Sequence, residues 1–191
     1  MILYLHGFRS SPLSFKAQSA AEYMHRHGLG GRFFCPQLPE SPGASVALAY
    51  QFMEGYDPDR VTLIGSSLGG FYANWLAERT GCRAVLLNPV IDPWHIRATL
   101  ENPPPTVELA EWQKDREKYA SELRKLQVFR ITRPERYFLI AATGDELLGY
   151  RQMCAHYRLA RQVIIEGSDH SLPEFTDYLD DILSFSGIRA G

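Results

Sequence analysis

Apolar positions along this chain fall into two rhythms. Short runs of aliphatic, β-branched and aromatic residues recur at 2–5 (ILYL), 32–39 (RFFCPQLP), 60–66 (RVTLIGS), 83–90 (RAVLLNPV), 136–144 (RYFLIAATG) and 161–167 (RQVIIEG). Several are continuously apolar, the pattern of strands buried on both faces of a parallel sheet. Between them the apolar positions follow a helical period, predicting helices over 14–27, 45–56, 68–80, 149–160 and 173–185. In the first of these Phe15, Ala20, Tyr23 and Met24 are expected to face the sheet, with Gly28 just past its end. Gly81 stops the third. Strands alternating with helices predict an open α/β fold: about six mostly parallel strands in the order 2-1-3-4-5-6, with helices on both faces.

One segment departs from this rhythm. Residues 91–135 separate the fourth and fifth strands by far more than an ordinary crossover. Within them Trp112, Tyr119, Leu123 and Leu126 share one helical face, with charges around the rest. The segment reads as a helical insertion, either a crossover that covers the sheet or a lid over a site. The 191 residues are expected to form one domain spanning 1–191.

Composition narrows the function classes. A net charge of −2 gives no basic balance for nucleic acid. No apolar run approaches the roughly 18 residues of a membrane span. Three dispersed cysteines form no CxxC pair and no Cys/His cluster for a metal, so reduced thiols in a cytoplasmic protein are expected. The opening MILYLHGF lacks the basic start of a secretory signal.

The chemistry concentrates at Gly65-Ser66-Ser67-Leu68-Gly69. This is G-x-S-x-G, which a chain of this composition shows about 0.08 times by chance. An apolar strand precedes it and a helix follows, which is the context a nucleophile elbow needs. In such a strained turn the residues two before and two after the nucleophile must be small. Gly65 and Gly69 flank Ser67 at those distances, whereas Ile64 and Leu68 flank Ser66. Ser67 is therefore the candidate nucleophile. The Leu68 amide at the helix start, and the Phe8 amide after the first strand, are candidate donors to an oxyanion. His6 is read as ordering the first loop rather than as the base. His170, after the sixth strand, is the candidate base. Asp145, after the fifth, is the candidate acid that orients it, with Asp92 as the other possibility. His6, Gly7, Trp94 and His95 are candidates for contact with substrate. No cofactor and no metal is needed by this set. The expected partner is a small-molecule ester or thioester.

The stretches LYLHGFRSSP, PQLP, LIGSSLGGFYANWL, LLNPV, TGDELLGYRQ and VIIEGSDH run the length of the chain. Together they resemble the YqiA-like esterase family of the α/β-hydrolase superfamily. The resemblance implies a compact α/β-hydrolase lacking the first two strands of the larger fold. It implies esterase activity on short acyl esters and fatty-acyl-CoA thioesters, with Ser67, Asp145 and His170 as triad and Phe8 and Leu68 as oxyanion donors. For a CoA thioester the insertion offers Lys114, Arg116, Lys118, Arg124, Lys125, Arg130 and Arg133 to phosphates, diluted by Glu111, Asp115, Glu117 and Glu122. The rival class is a binding protein that keeps the fold without turnover.

Overall fold

Alternate residues of each central strand are buried on opposite faces of one sheet, which is why the strands read as unbroken apolar runs. The computed structural model describes residues 1–93 and 109–188. Its strands are β1 (Ile2–Leu5), β2 (Phe33–Phe34), β3 (Thr62–Ser66), β4 (Arg83–Leu87), β5 (Tyr137–Ala142) and β6 (Arg161–Ile165). They form one six-stranded sheet in the order β2-β1-β3-β4-β5-β6, every pair parallel. The helices are α1 (Phe15–Arg26), α2 (Pro42–Met53), α3 (Leu68–Thr80), α4 (Leu109–Lys125), α5 (Tyr150–His156) and α6 (Leu179–Ser186). Leu3, Leu5, Leu63, Leu86 and Leu139 pack with α2, α3, α4 and α5 on one face. Ile2, Tyr4, Ile64, Val85 and Phe138 pack with α1 and α6 on the other. Among the described residues no helix is long and apolar enough to cross a membrane.

The expected order of strands holds, and the differences lie at element ends. The second strand shrinks to two residues, since Pro36 and Pro39 supply no N–H to a ladder and β2 is an edge strand. Helix α2 starts at Pro42 rather than at residue 45. Proline is preorganised for the first helical position, and Ser41 Oγ caps the helix by accepting the Ala44 N–H at 3.1 Å. Phe15 does not face the sheet: it is 56 % exposed, and Ala17, Ala20 and Met24 carry the buried stripe of α1. The predicted helix from 173 opens as a 3-10 turn (Pro173–Tyr178) before α6. In the insertion, Leu123 and Leu126 are buried beside α2 and α3, so the described part of α4 covers that face of the sheet.

The strand order reverses between β1 and β3, opening a crevice at their carboxyl ends. Helix α3 leaves β3 at this point and passes very close to β1. A Cβ on Gly69 would lie 1.9 Å from the Leu5 carbonyl oxygen and 2.7 Å from that of His6. A Cβ on Gly65 would lie 2.4 Å from the Gly69 oxygen. All these neighbours are backbone and cannot swing aside. Gly69→Ala is therefore expected to destabilise the protein by about 3 kcal/mol or more in urea unfolding. Gly31→Ala, where a Cβ meets nothing within 4 Å, should stay within about 0.5 kcal/mol of the parent. Equal midpoints for the two variants would contradict this account of the α3–β1 contact.

Candidate active site

The one-residue reversal from β3 into α3 falls on Ser67, with φ 55° and ψ −117°. A non-glycine residue there is strained by about 1–3 kcal/mol. The surrounding backbone holds it: the Ser67 N–H donates to the Leu87 carbonyl at 3.0 Å, and its own carbonyl accepts from Gly70 at 3.0 Å and Val90 at 3.1 Å. Ser67 occupies the N-cap position, where serine ordinarily bonds the second or third amide of the helix. Here its side chain makes no capping bond, and it lines a cavity instead. Ser66 is buried beside Tyr4. Burial raises the Tyr4 pKa well above the usual phenol range.

The two loops after β5 and β6 bring the other candidates together. His170 Nδ1 lies 2.8 Å from Asp145 Oδ2, with the Asp145 side chain wholly buried and that of His170 18 % exposed. Asp145 Oδ1 accepts the amides of Leu147 (2.9 Å) and Leu148 (2.8 Å), which fixes the carboxylate plane. Asp145 fills the Nδ1 position of the ring, leaving no place there for Asp92. His170 and Ser67 line the same cavity of about 570 Å³.

The loop after β1 closes another side. Gly7 sits against Ser67: a Cβ there would lie 3.3 Å from Ser67 Cβ. Phe8 follows it into the cavity wall. The Leu68 amide is the first of α3, where N–H groups have no acceptor within the helix. The His6 ring is buried and engaged at both nitrogens, Nδ1 with the Gly7 carbonyl at 3.0 Å and Nε2 with the Leu38 amide at 3.0 Å. Since Leu38 N–H donates to Nε2, the proton resides on Nδ1 and donates to Gly7. The ring thus pins the β1 loop to residue 38. Trp94 and His95 lie outside the described residues.

Three residues that the sequence reading did not assign hold the His170 loop. Asn88, after β4, has φ 41°, is 1 % exposed, and accepts the Ala142 amide at 2.8 Å through Oδ1. Its Nδ2 donates to the carbonyls of Asp169 (3.1 Å) and His170 (3.3 Å). Glu146 Oε2 accepts the His170 amide at 3.1 Å. Hydrogen bonds from its own amide and that of His170 hold the Glu146 carboxyl below its usual range. Lys16 Nζ donates to the Ser171 carbonyl at 2.6 Å from the far wall of the cavity. Burial pulls the Lys16 ammonium down to about 8, against the opposing pull of Asp169 and Asp145. An Asn-Pro pair directly after an apolar strand is the one sequence signal that pointed at Asn88. The other two side chains left none. Among the described residues no group of three His, Cys, Asp or Glu side chains is arranged to hold a metal ion.

Comparison with known proteins fits this geometry. The model of an uncharacterised protein family (UPF0227) matches residues 1–187. Among solved structures, the chain is similar to alpha/beta hydrolase domain-containing protein 10 from mouse, with a TM-score of 0.70 and 14% identity over 96% of this chain and 89% of that one. It is similar to the esterase Pf2001 of Pyrococcus furiosus, with a TM-score of 0.65 and 14% identity over 100% of this chain and 81% of that one. It is also similar to Est1E from Butyrivibrio proteoclasticus, with a TM-score of 0.60 and 14% identity over 97% and 87%. At these identities the likeness establishes the shared α/β-hydrolase fold.

Asn88→Ala removes the acceptor of a buried amide and both donors to the His170 loop. It also places an ordinary residue at positive φ. A loss of about 2–4 kcal/mol is expected in urea unfolding. Asn88→Gly, which relieves only the backbone term, should recover about 1 kcal/mol of it. An Asn88→Ala midpoint equal to that of the parent would contradict the bridge.

Proposed function

Since the chain belongs to the YqiA-like family of α/β-hydrolases (UPF0227), we propose that it is a serine esterase acting on carboxylic esters or acyl thioesters. The observation that carries this reading is the Asp145–His170 contact at 2.8 Å in the cavity lined by a strained, non-capping Ser67. With the Nδ1 proton directed to Asp145, Nε2 carries the free lone pair and takes the Ser67 proton as Oγ attacks the carbonyl carbon. The tetrahedral oxyanion rests on the amides of Leu68 and Phe8, each worth about 2.7–4 kcal/mol in the transition state. His170 then protonates the leaving alcohol or thiol, and a water activated by the same ring releases the acid. Asp145 stabilises the imidazolium without taking the proton. The three side chains, the two backbone amides and one water complete the chemistry of this reading. The protein acts as a single domain in this reading, on a small molecule in the cytoplasm.

A fluorophosphonate should label the folded protein at Ser67, mapped by peptide mass spectrometry. Ser67→Ala should abolish labelling and lower turnover of p-nitrophenyl butyrate at least about 10³-fold, with Asp145→Asn losing roughly 10⁴-fold. Unlabelled Ser67 and no turnover by the folded parent would instead favour a binding protein on a hydrolase fold.

A further inference from the structure

Lys16 stands in the cavity of about 570 Å³ that Ser67 and His170 also line. It reaches there from the first turn of α1, and its Nζ donates at 2.6 Å to the carbonyl of Ser171, another residue of the cavity wall. An ammonium carries three donors, and this bond uses one of them. The bond is solvent-exposed, so the other two can be approached from the cavity. Among the described residues Lys16 forms no ion pair. Asp169 and Asp145 attract it from farther off, and burial disfavours its charge by more than they favour it. The carboxylates around it are already engaged. Asp145 bonds His170 and the amides of Leu147 and Leu148, Asp169 accepts the Ser171 amide at 2.8 Å, and Glu146 accepts that of His170.

The place of this ammonium says which part of a substrate meets it. A general acid has to reach the leaving oxygen, so the leaving group departs beside His170. Lys16 bonds the next residue of the same loop, which puts its charge on the leaving-group side. Phe15 and Leu147, both largely exposed, line the mouth of the cavity with apolar surface. A leaving group that suits these walls has an apolar body and carries an anion. The anion would accept a charge-assisted hydrogen bond from Nζ and offset what burial costs the ammonium.

We propose that Lys16 is a specificity residue for the leaving group, selecting esters whose leaving alcohol carries a carboxylate on an apolar body. The assignment rests on the serine-esterase reading and deepens it. Its test holds the acyl group constant. At neutral pH, 3- and 4-carboxyphenyl butyrate are compared with their uncharged carbamoylphenyl counterparts on the parent, Lys16→Met, Lys16→Arg and Lys118→Met. Lys118 lies on α4 and does not line this cavity. The parent should prefer the carboxylate, in at least one ring position, by about fivefold in kcat/KM. Lys16→Met should bring that ratio to one or below, Lys16→Arg should keep it above one, and Lys118→Met should leave it at the parent value. The ratio is taken within each protein, so a general loss of turnover from a loosened His170 loop cancels. A ratio of one in the parent, or one that Lys16→Met leaves unchanged, overturns the assignment and leaves the esterase reading standing. So does an equal fall in Lys118→Met, which would trace the preference to net charge. A second pair moves the anion to the acyl side: the adipate half-ester of p-nitrophenol against p-nitrophenyl hexanoate. A preference dependent on Lys16 in that pair, and not among the butyrates, overturns the leaving-group placement. No Ser67-dependent turnover of any ester overturns both readings.

Discussion

The distance between α3 and β1 sets the terms for the whole carboxyl edge of the sheet. Gly69 lies so close over the Leu5 and His6 carbonyls that no side chain fits between helix and strand. With α3 held there, the chain must reverse within one residue as it leaves β3, and that residue is Ser67 at φ 55°. The reversal lifts Oγ off its own helix terminus and turns it toward the crevice. It also brings the start of α3 beside the Gly7–Phe8 loop. The candidate nucleophile and the candidate oxyanion donors thus follow from one packing contact. The strain is sustained because the Ser67 amide and carbonyl are both bonded to the backbone around the end of β4.

Asp145 and His170, the candidate acid and base, are positioned by different means. They come from loops after neighbouring strands, and loops are ordinarily the mobile part of such a fold. Here the His170 backbone is held from three directions, by Asn88, by Glu146 and, through Ser171, by Lys16. Asn88 matters most among these, because its side chain also bonds Ala142 at the end of β5. A single buried amide therefore ties the end of β5, before Asp145, to the His170 loop. Glu146 is more exposed, and an exposed carboxylate is a weaker tether.

Local patterns carried the strand–helix order, the sheet order and the elbow into the sequence, because each rests on residues close together in the chain. Gly65, Ser67 and Gly69 can be read as a unit, and the apolar runs around them give the context. The length of β2 was harder, since Pro36 and Pro39 end a run that composition alone favours as strand. The start of α2 turned on Ser41 and Pro42, two residues before the apolar period begins. Phe15 was misplaced because periodicity marks which residues share a face, and Ala17, with less apolar character, carries the burial instead. Lys16 could not be found this way, and for Asn88 the Asn-Pro pair marks only the strand end, not what the side chain bonds. Their partners are 54 to 155 residues distant, and no local rule links a polar residue to a backbone group so far along the chain.

The insertion joins this framework through Leu123 and Leu126 in the core and through polar contacts at its edge. Glu122 of α4 accepts from Ser41 Oγ at 2.6 Å and from the Gly43 amide at 3.0 Å, at the start of α2. Those bonds, with the positive charges of Lys118 and Lys125, hold its carboxyl below the usual range although burial opposes them. Tyr119 lies three residues earlier, on the same face of the helix. The contact that fixes Glu122 on α2 therefore also fixes Tyr119 in the wall of a cavity of about 620 Å³ that Phe8, Leu38 and Tyr72 also line. Ser67, Asp145 and His170 sit just beyond the ends of β3, β5 and β6, whereas this wall hangs on a helix packed on α2 and α3 through Leu123 and bonded to α2 through Glu122. Changes in α4 can then reshape what enters the cavity while the geometry of Ser67, Asp145 and His170 stays with the sheet.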